Sequence, residues 1–219
     1  MRAKATLLAL LIASPVAGDA AQAPGASPAP AGDPARVLEV LERTKLTRAT
    51  YSLFGWTSVS EPGEAPRAEW AAEFHSGDLH RVETPGTRVV ADCRAGTGFA
   101  LSVESGEVIE GPGVANAACG INTNRVFHAA EYVGRVQTEF GPADRVRLTD
   151  DEMIRDYDVS PDGVLLGSTF RAGDEEETQI LLSETVDLLR DAPDPDMFDP
   201  ESLDRSFVPE AYRQAPSGF

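Results

Sequence analysis

The side chains of this sequence best suited to chemistry are its histidines, its two cysteines and its aspartate runs, and their spacing decides what each can do. His75 and His80 flank Ser76-Gly77-Asp78-Leu79. With Gly77-Asp78 as a two-residue turn, the two imidazoles face each other across a hairpin. A zinc or copper ion held there needs a third ligand, and nothing in the pattern brings His128 to it. The pair is therefore expected on the exposed, polar face of the sheet, with no metal. Asp194, Asp196 and Asp199 have the oxygen-rich character of the start of a calcium loop, without its glycine or its distal glutamate. Pro193, Pro195 and Pro200 favour instead an extended, solvated segment in which Asp199-Pro200 caps a short helix. The run Asp174 to Glu177 reads as a solvated turn. No GxSxG elbow, paired SxxK motif, phosphate loop or dinucleotide fingerprint occurs. The expectation is a protein that is not an enzyme, with no catalytic residue and no cofactor.

Cys93 and Cys119 have neither CxxC spacing nor a neighbouring histidine, and an even count in an exported chain reads as one disulfide. Export is signalled by Met1-Arg2-Ala3-Lys4 and the short apolar run Leu7 to Ala13, too short to span a bilayer. Ala21-Gln22-Ala23 offers a cleavage site, with Val16-Ala17-Gly18 as a second, and no cysteine stands beside either to take a lipid. Residues 1–23 are thus expected to be a signal peptide and the mature protein to be periplasmic, without a lipid anchor or a membrane span. The formal charge of −17 over 219 residues repels nucleic acid and anionic lipid surfaces, and suits a soluble monomer.

The elements that position these groups are short and alternating. Residues 24–33, rich in alanine and proline, read as a disordered leader. Asp33-Pro34 then sets an N-cap and first helical residue, and Val37, Leu38, Val40 and Leu41 follow at helical spacing to give one amphipathic helix ending near Lys45. Beyond it the pattern is strand and turn. In Arg67 to His75, Ala68, Trp70, Ala72 and Phe74 face one way and Arg67, Glu69, Glu73 and His75 the other. In Glu152 to Val159, Met153, Tyr157 and Val159 oppose Asp156 and Asp158, and Ser160-Pro161-Asp162-Gly163 turns the chain into Val164, Leu166 and Phe170. Gly106 to Asn124 is glycine-rich, with at most a helical turn at Ala117-Ala118-Cys119. Residues 34–219 are expected to form a single, mainly β domain, a curved antiparallel sheet of about 9–10 strands with one N-terminal amphipathic helix and an irregular tail carrying Phe207 and Tyr212 packed on the sheet.

One set of apolar residues is assigned to the inward face: Trp70, Phe74, Phe99, Leu101, Tyr132, Val136, Phe140, Tyr157, Leu166, Phe170, Ile180 and Leu182. These fill a core beneath the helix, or part of them lines an apolar cavity; solid core and pocket use the same amino acids.

The hairpin YDVSPDGVLLGSTF, the strand ETQILLSETVDL and the following PDPDMFDP resemble the periplasmic outer-membrane lipoprotein carriers, the LolA/LolB-like superfamily, chiefly over residues 131–200. The resemblance implies an unclosed β-barrel with a helical lid, containing Val37 to Leu41, over a cavity for acyl chains. It makes Val37, Leu41, Trp70, Phe74, Phe99, Leu101, Val136, Phe140, Tyr157, Leu166, Phe170 and Leu182 the expected lining, and a lipid or lipoprotein the expected partner. The alternative is a cell-envelope interaction module that binds another protein through the disulfide loop or the outer sheet face.

Overall fold

The computed structural model describes residues 32–60, 66–122, 126–172 and 179–214, excluding the side chains of residues 179 and 180. The expected signal peptide, the leader up to residue 31, the acidic turn 174–177 and the side chain of Ile180 lie outside the described residues.

Asp33 opens the helix as its side chain dictates: Oδ1 accepts from the Ala35 and Arg36 amides at 3.0 and 3.2 Å, and Pro34 takes the first turn. Helix α1 (Pro34–Lys45) buries Val37, Val40, Leu41 and Thr44, one stripe at helical spacing. Five strands and a short sixth follow: β1 (Tyr51–Val59), β2 (Arg67–Ser76), β3 (Leu79–Glu83), β4 (Thr87–Asp92), β5 (Thr97–Ser102) and β6 (Val108–Glu110). A second helix, α2 (Pro112–Ala118), leads across to β7 (Ala129–Thr138), β8 (Gly141–Thr149), β9 (Met153–Val159), β10 (Leu165–Ala172) and β11 (Gln179–Leu189). All are antiparallel in one sheet of order β6-β5-β4-β3-β2-β1-β11-β10-β9-β8-β7. The sheet is two meanders zipped together at β1 and β11, and it stays open between edges β6 and β7.

The structure has one strand and one helix more than the alternation foretells. Strand β6 has only three residues, too few to show a period of two, and α2 (PGVANAA) is built of small residues with no apolar stripe. Pro112 at its first turn was the one start signal. The turn Ser160 to Gly163 forms as expected, with Gly163 at φ +87° and a Ser160 amide bond to the Val164 carbonyl.

Both helices lie on the inner face of the sheet. α1 packs over β7 and β8, and α2 over β3, β4 and β5. Asp144 of β8, 3% exposed, fastens α1: Oδ2 accepts from Arg36 Nη2 (2.9 Å) and Arg43 Nη2 (2.7 Å), and Oδ1 from the Tyr132 hydroxyl (2.8 Å). Burial opposes the charge of Asp144, but the hydrogen bonds from Arg43 and Tyr132 and the nearby arginine charges outweigh it and hold the carboxyl below its ordinary range. The Cys93–Cys119 disulfide, with Cα atoms 5.6 Å apart, ties the turn after β4 to the C-cap of α2.

The outer face of β1 to β5 is also covered. The tail runs through three 3-10 turns (Pro195–Phe198, Pro200–Asp204, Glu210–Tyr212) and sets Phe198, Leu203 and Val208 on Phe54, Ala72, Phe74 and Val90. Tyr212 stacks on Phe54 at 4.0 Å. Between tail and sheet the fully buried Arg81 donates to Glu83, to the Ser202 hydroxyl and to the Met197 and Arg205 carbonyls, while Glu83 accepts from Ser206 and the Phe207 amide. The buried charges are therefore fully hydrogen-bonded, as burial demands. On the other half the outer face carries the ion pairs Arg145–Asp158 and Arg147–Asp156, the polar face expected of β9.

Candidate functional site

A cavity of about 760 Å³ lies on the inner face between the end of α1 and α2. Two glycines let the surrounding loops close on the α1 terminus. Gly163 (φ +87°) lies so close that a Cβ would strike the Arg43 carbonyl, and a Cβ on Gly120 (φ +75°) would lie 2.8 Å from Thr44 Oγ1. Thr44 Oγ1 donates to the Leu41 carbonyl and accepts from the Ile121 amide, which joins α1 to the segment after α2. One wall is Val82, Val89 and Ala100 under Val114 and Ala118 of α2; the opposite wall is Phe127, Tyr157, Leu165, Phe170 and Leu181. Arg155 in that wall is spoken for: Asp150 takes its Nη1 at 2.5 Å, and its guanidinium lies over the rings of Phe127 and Phe170.

Between the two apolar walls, on strands β1 to β3, the floor is polar. Tyr51, Glu73, His75 and His80 all line the cavity and are at most 5% exposed. Glu73 Oε2 accepts from the Tyr51 hydroxyl at 3.2 Å and lies 3.5 Å from His80 Nε2. His80 Nε2 makes no hydrogen bond. His75 Nδ1 is 2.6 Å from the Ala49 carbonyl, an acceptor only, so that nitrogen carries the proton. Its ring stacks on Tyr51 at 5.3 Å. Burial, reinforced by the neighbouring His80, pulls the His75 pKa down to about 4, so the imidazole is neutral at physiological pH. Burial and then the Glu73 charge push the Tyr51 phenol well up, which keeps it a donor.

The expected hairpin pairing of His75 with His80 is present, residue against residue. The expected exposure is not: both rings point inward, because the apolar side of the same strand is claimed by the tail. Among the described residues no group of three metal-ligating side chains comes together there or elsewhere. Of the twelve expected lining residues, Tyr157 and Phe170 line the cavity. Trp70, Phe74, Phe99 and Leu101 lie on the outer face beneath the tail. Val37 and Leu41 are solid core between α1 and the sheet, and Val136, Phe140 and Leu166 pack with Leu53 and Val164. Leu182 is turned outward by a bulge: β11 shifts register between Asp187 and Thr185 opposite Phe54 and Gly55, so its first half buries Leu181 while Leu188 is inward in its second. Glu73, His75 and His80, part of the actual lining, had been set on the polar face by alternation alone.

No family model matches the sequence, and no curated protein matches it. Among solved structures, a chain of the Pseudomonas aeruginosa MucA/MucB complex is similar at 14% identity and TM-score 0.50, over 75% of this chain and 60% of that one. An uncharacterized conserved protein from Thermus thermophilus is similar at 14% identity and TM-score 0.47, over 81% and 97% of the two chains. A LolA superfamily protein from Nitrosomonas europaea is similar at 10% identity and TM-score 0.42, over 76% and 99%. Likeness at such identities concerns fold alone. What the described residues show is the expected class of fold: eleven antiparallel strands in one open, curved sheet, mainly β, with both α-helices on its inner face.

Proposed function

We propose that this protein is a binding or carrier protein for a hydrophobic ligand, a lipid or an acyl chain, held between the two helices and the sheet. The observation that supports this is the cavity: about 760 Å³ with walls of Val82, Val89, Phe127, Leu165, Phe170 and Leu181, within the size range of small-molecule pockets. Burial of ligand surface against such walls contributes roughly 25 cal/mol per Å² before the costs of association. The role is non-enzymatic on this proposal, since the floor histidines meet a carboxylate, a phenol and a main-chain carbonyl rather than a nucleophile. The disulfide suits an exported, oxidising compartment, the periplasm on the N-terminal sequence. Among the described residues no helix is long and apolar enough to cross a membrane.

The test is native mass spectrometry with solvent extraction of protein purified from its own compartment, beside titration with the neutral dye N-phenyl-1-naphthylamine. Copurified lipid and saturable dye fluorescence are expected; an empty protein that leaves the dye dark removes the proposal. A second role rests on the sheet edge at β6: it has no strand partner on its outer side among the described residues and its Val108 and Ile109 are about half exposed, so a strand of a partner protein would pair there. The similar fold in the MucA/MucB complex, itself a protein assembly, supports that role. Binding of a partner protein by a lipid-free, dye-negative sample would favour it.

A further inference from the structure

The cavity floor carries more chemistry than a purely apolar cargo needs. Glu73 is 4% exposed, and its polar neighbours are the Tyr51 hydroxyl and His80 Nε2, both at Oε2. Among the described residues no arginine or lysine is within ion-pair distance of it and Oε1 has no protein partner. His80, itself 5% exposed, leaves its Nε2 without a hydrogen bond beside the same carboxylate. A buried carboxylate with spare lone pairs and no cation is expensive unless something completes its shell. The arginine of the opposite wall, Arg155, is held by Asp150. Lys45, the other basic residue of the lining, is on the last turn of α1 and is exposed.

We infer that Glu73 is the head-group recognition residue of this cavity and that its ligand is an amphiphile whose polar end bears N–H donors, an ammonium best and an amide next, rather than a free carboxylate. This deepens the carrier proposal and rests on it. The apolar tail lies between the walls of Val89 and Phe170, and the head donates to Glu73 Oε1, which Tyr51 and His80 leave free. A fatty-acid carboxylate would set like charge against like and leave both acceptors unpaired, which specificity exploits as rejection. An N–H donor to an ionised acceptor makes the stronger, charge-assisted kind of hydrogen bond.

The experiment displaces N-phenyl-1-naphthylamine with four twelve-carbon competitors, the alkylammonium, amide, alcohol and carboxylate, at physiological salt. In the wild type the ammonium is expected to compete at least tenfold better than the carboxylate, with amide and alcohol between. Overall charge attracts any cation to this acidic protein, so the decisive comparison is Glu73→Gln, which changes one charge: it should still bind dye and should rank all four within about threefold. Tyr51→Phe, which frees a lone pair on Oε2, should widen the preference for the ammonium, and it decides the matter if Glu73→Gln does not fold. A flat wild-type ranking, a carboxylate preference, or an unchanged ranking in folded Glu73→Gln overturns the inference and leaves the carrier proposal intact. A protein that binds no dye at all overturns the carrier proposal instead, and the inference with it.

Discussion

His75 shows how one buried side chain sets a dependence on acidity. Its pKa is about 4 in the folded chain against 6.5 unperturbed, the result of burial and of His80 beside it. Above pH 6.5 the ring is neutral in both states and its contribution is intact. As the pH falls toward 4 the unfolded chain takes up a proton that the folded chain refuses, so stability is lost over that window, by about 2 kcal/mol between pH 7 and pH 5. Urea unfolding at the two pH values checks this, and His75→Gln should flatten the slope although it loses the stack on Tyr51. Phe74, on the opposite face of the same strand, behaves as solid core. It is 1% exposed and meets Phe54 edge-on at 5.8 Å beneath the tail. Phe74→Ala is expected to cost about 3–5 kcal/mol while dye affinity in the cavity is unchanged. Alternation had separated these two faces correctly in the sequence. It could not say which one encloses the cavity, because in β1 to β3 both faces are buried. The signal was in the tail: Phe198, Leu203, Phe207, Val208 and Tyr212 need an apolar surface, and the one offered by Trp70 and Phe74 is the nearest match.

At the scale of elements, α1 is held by its apolar stripe and by one carboxylate. Asp144→Asn removes the charge that Arg36 and Arg43 share and leaves two partly buried cations without it, a loss of about 3 kcal/mol. Amide hydrogen exchange should accelerate in α1 more than in α2, which the disulfide anchors separately. Much of this layer was legible. The Asp33-Pro34 cap, the Ser160 to Gly163 turn, the Cys93–Cys119 pairing and the hairpin that opposes His75 and His80 all follow from local chemistry. Asp144 also shares parity with Val146 and Leu148, so its inward position was available in the pattern. The bulge in β11 was not: no glycine or proline marks Val186, and a single extra residue exchanges the two faces for every side chain on one side of it. Helix α2 escaped for a related reason, since its small residues serve close packing and leave no periodic trace. Gly98 of β5 shows how close: a Cβ there would lie 2.9 Å from the Ala115 amide.

At the scale of the whole molecule, the sheet order makes every strand pairing but one a matter of chain neighbours. β1 to β6 and β7 to β11 each form by successive hairpins, whereas β1 meets β11 only across more than a hundred residues of chain. Local ladders close quickly, and a distant pairing incurs its loop entropy before its contacts form. The order of events during folding is thereby biased: two half-sheets first, the seam last, with the two walls of the cavity brought together only when Leu181 of β11 comes to lie beside β1. Leu53, fully buried, reaches across the seam to Val164 and Leu166, whereas Val82 packs on Val89 and Ala100 within its own half. Leu53→Ala should therefore lose about 2–5 kcal/mol chiefly through faster unfolding, and Val82→Ala should act mainly by slowing refolding. Stopped-flow rates with the disulfide intact test this, and a Leu53→Ala protein that refolds slowly but unfolds at the wild-type rate would mean that the seam forms first.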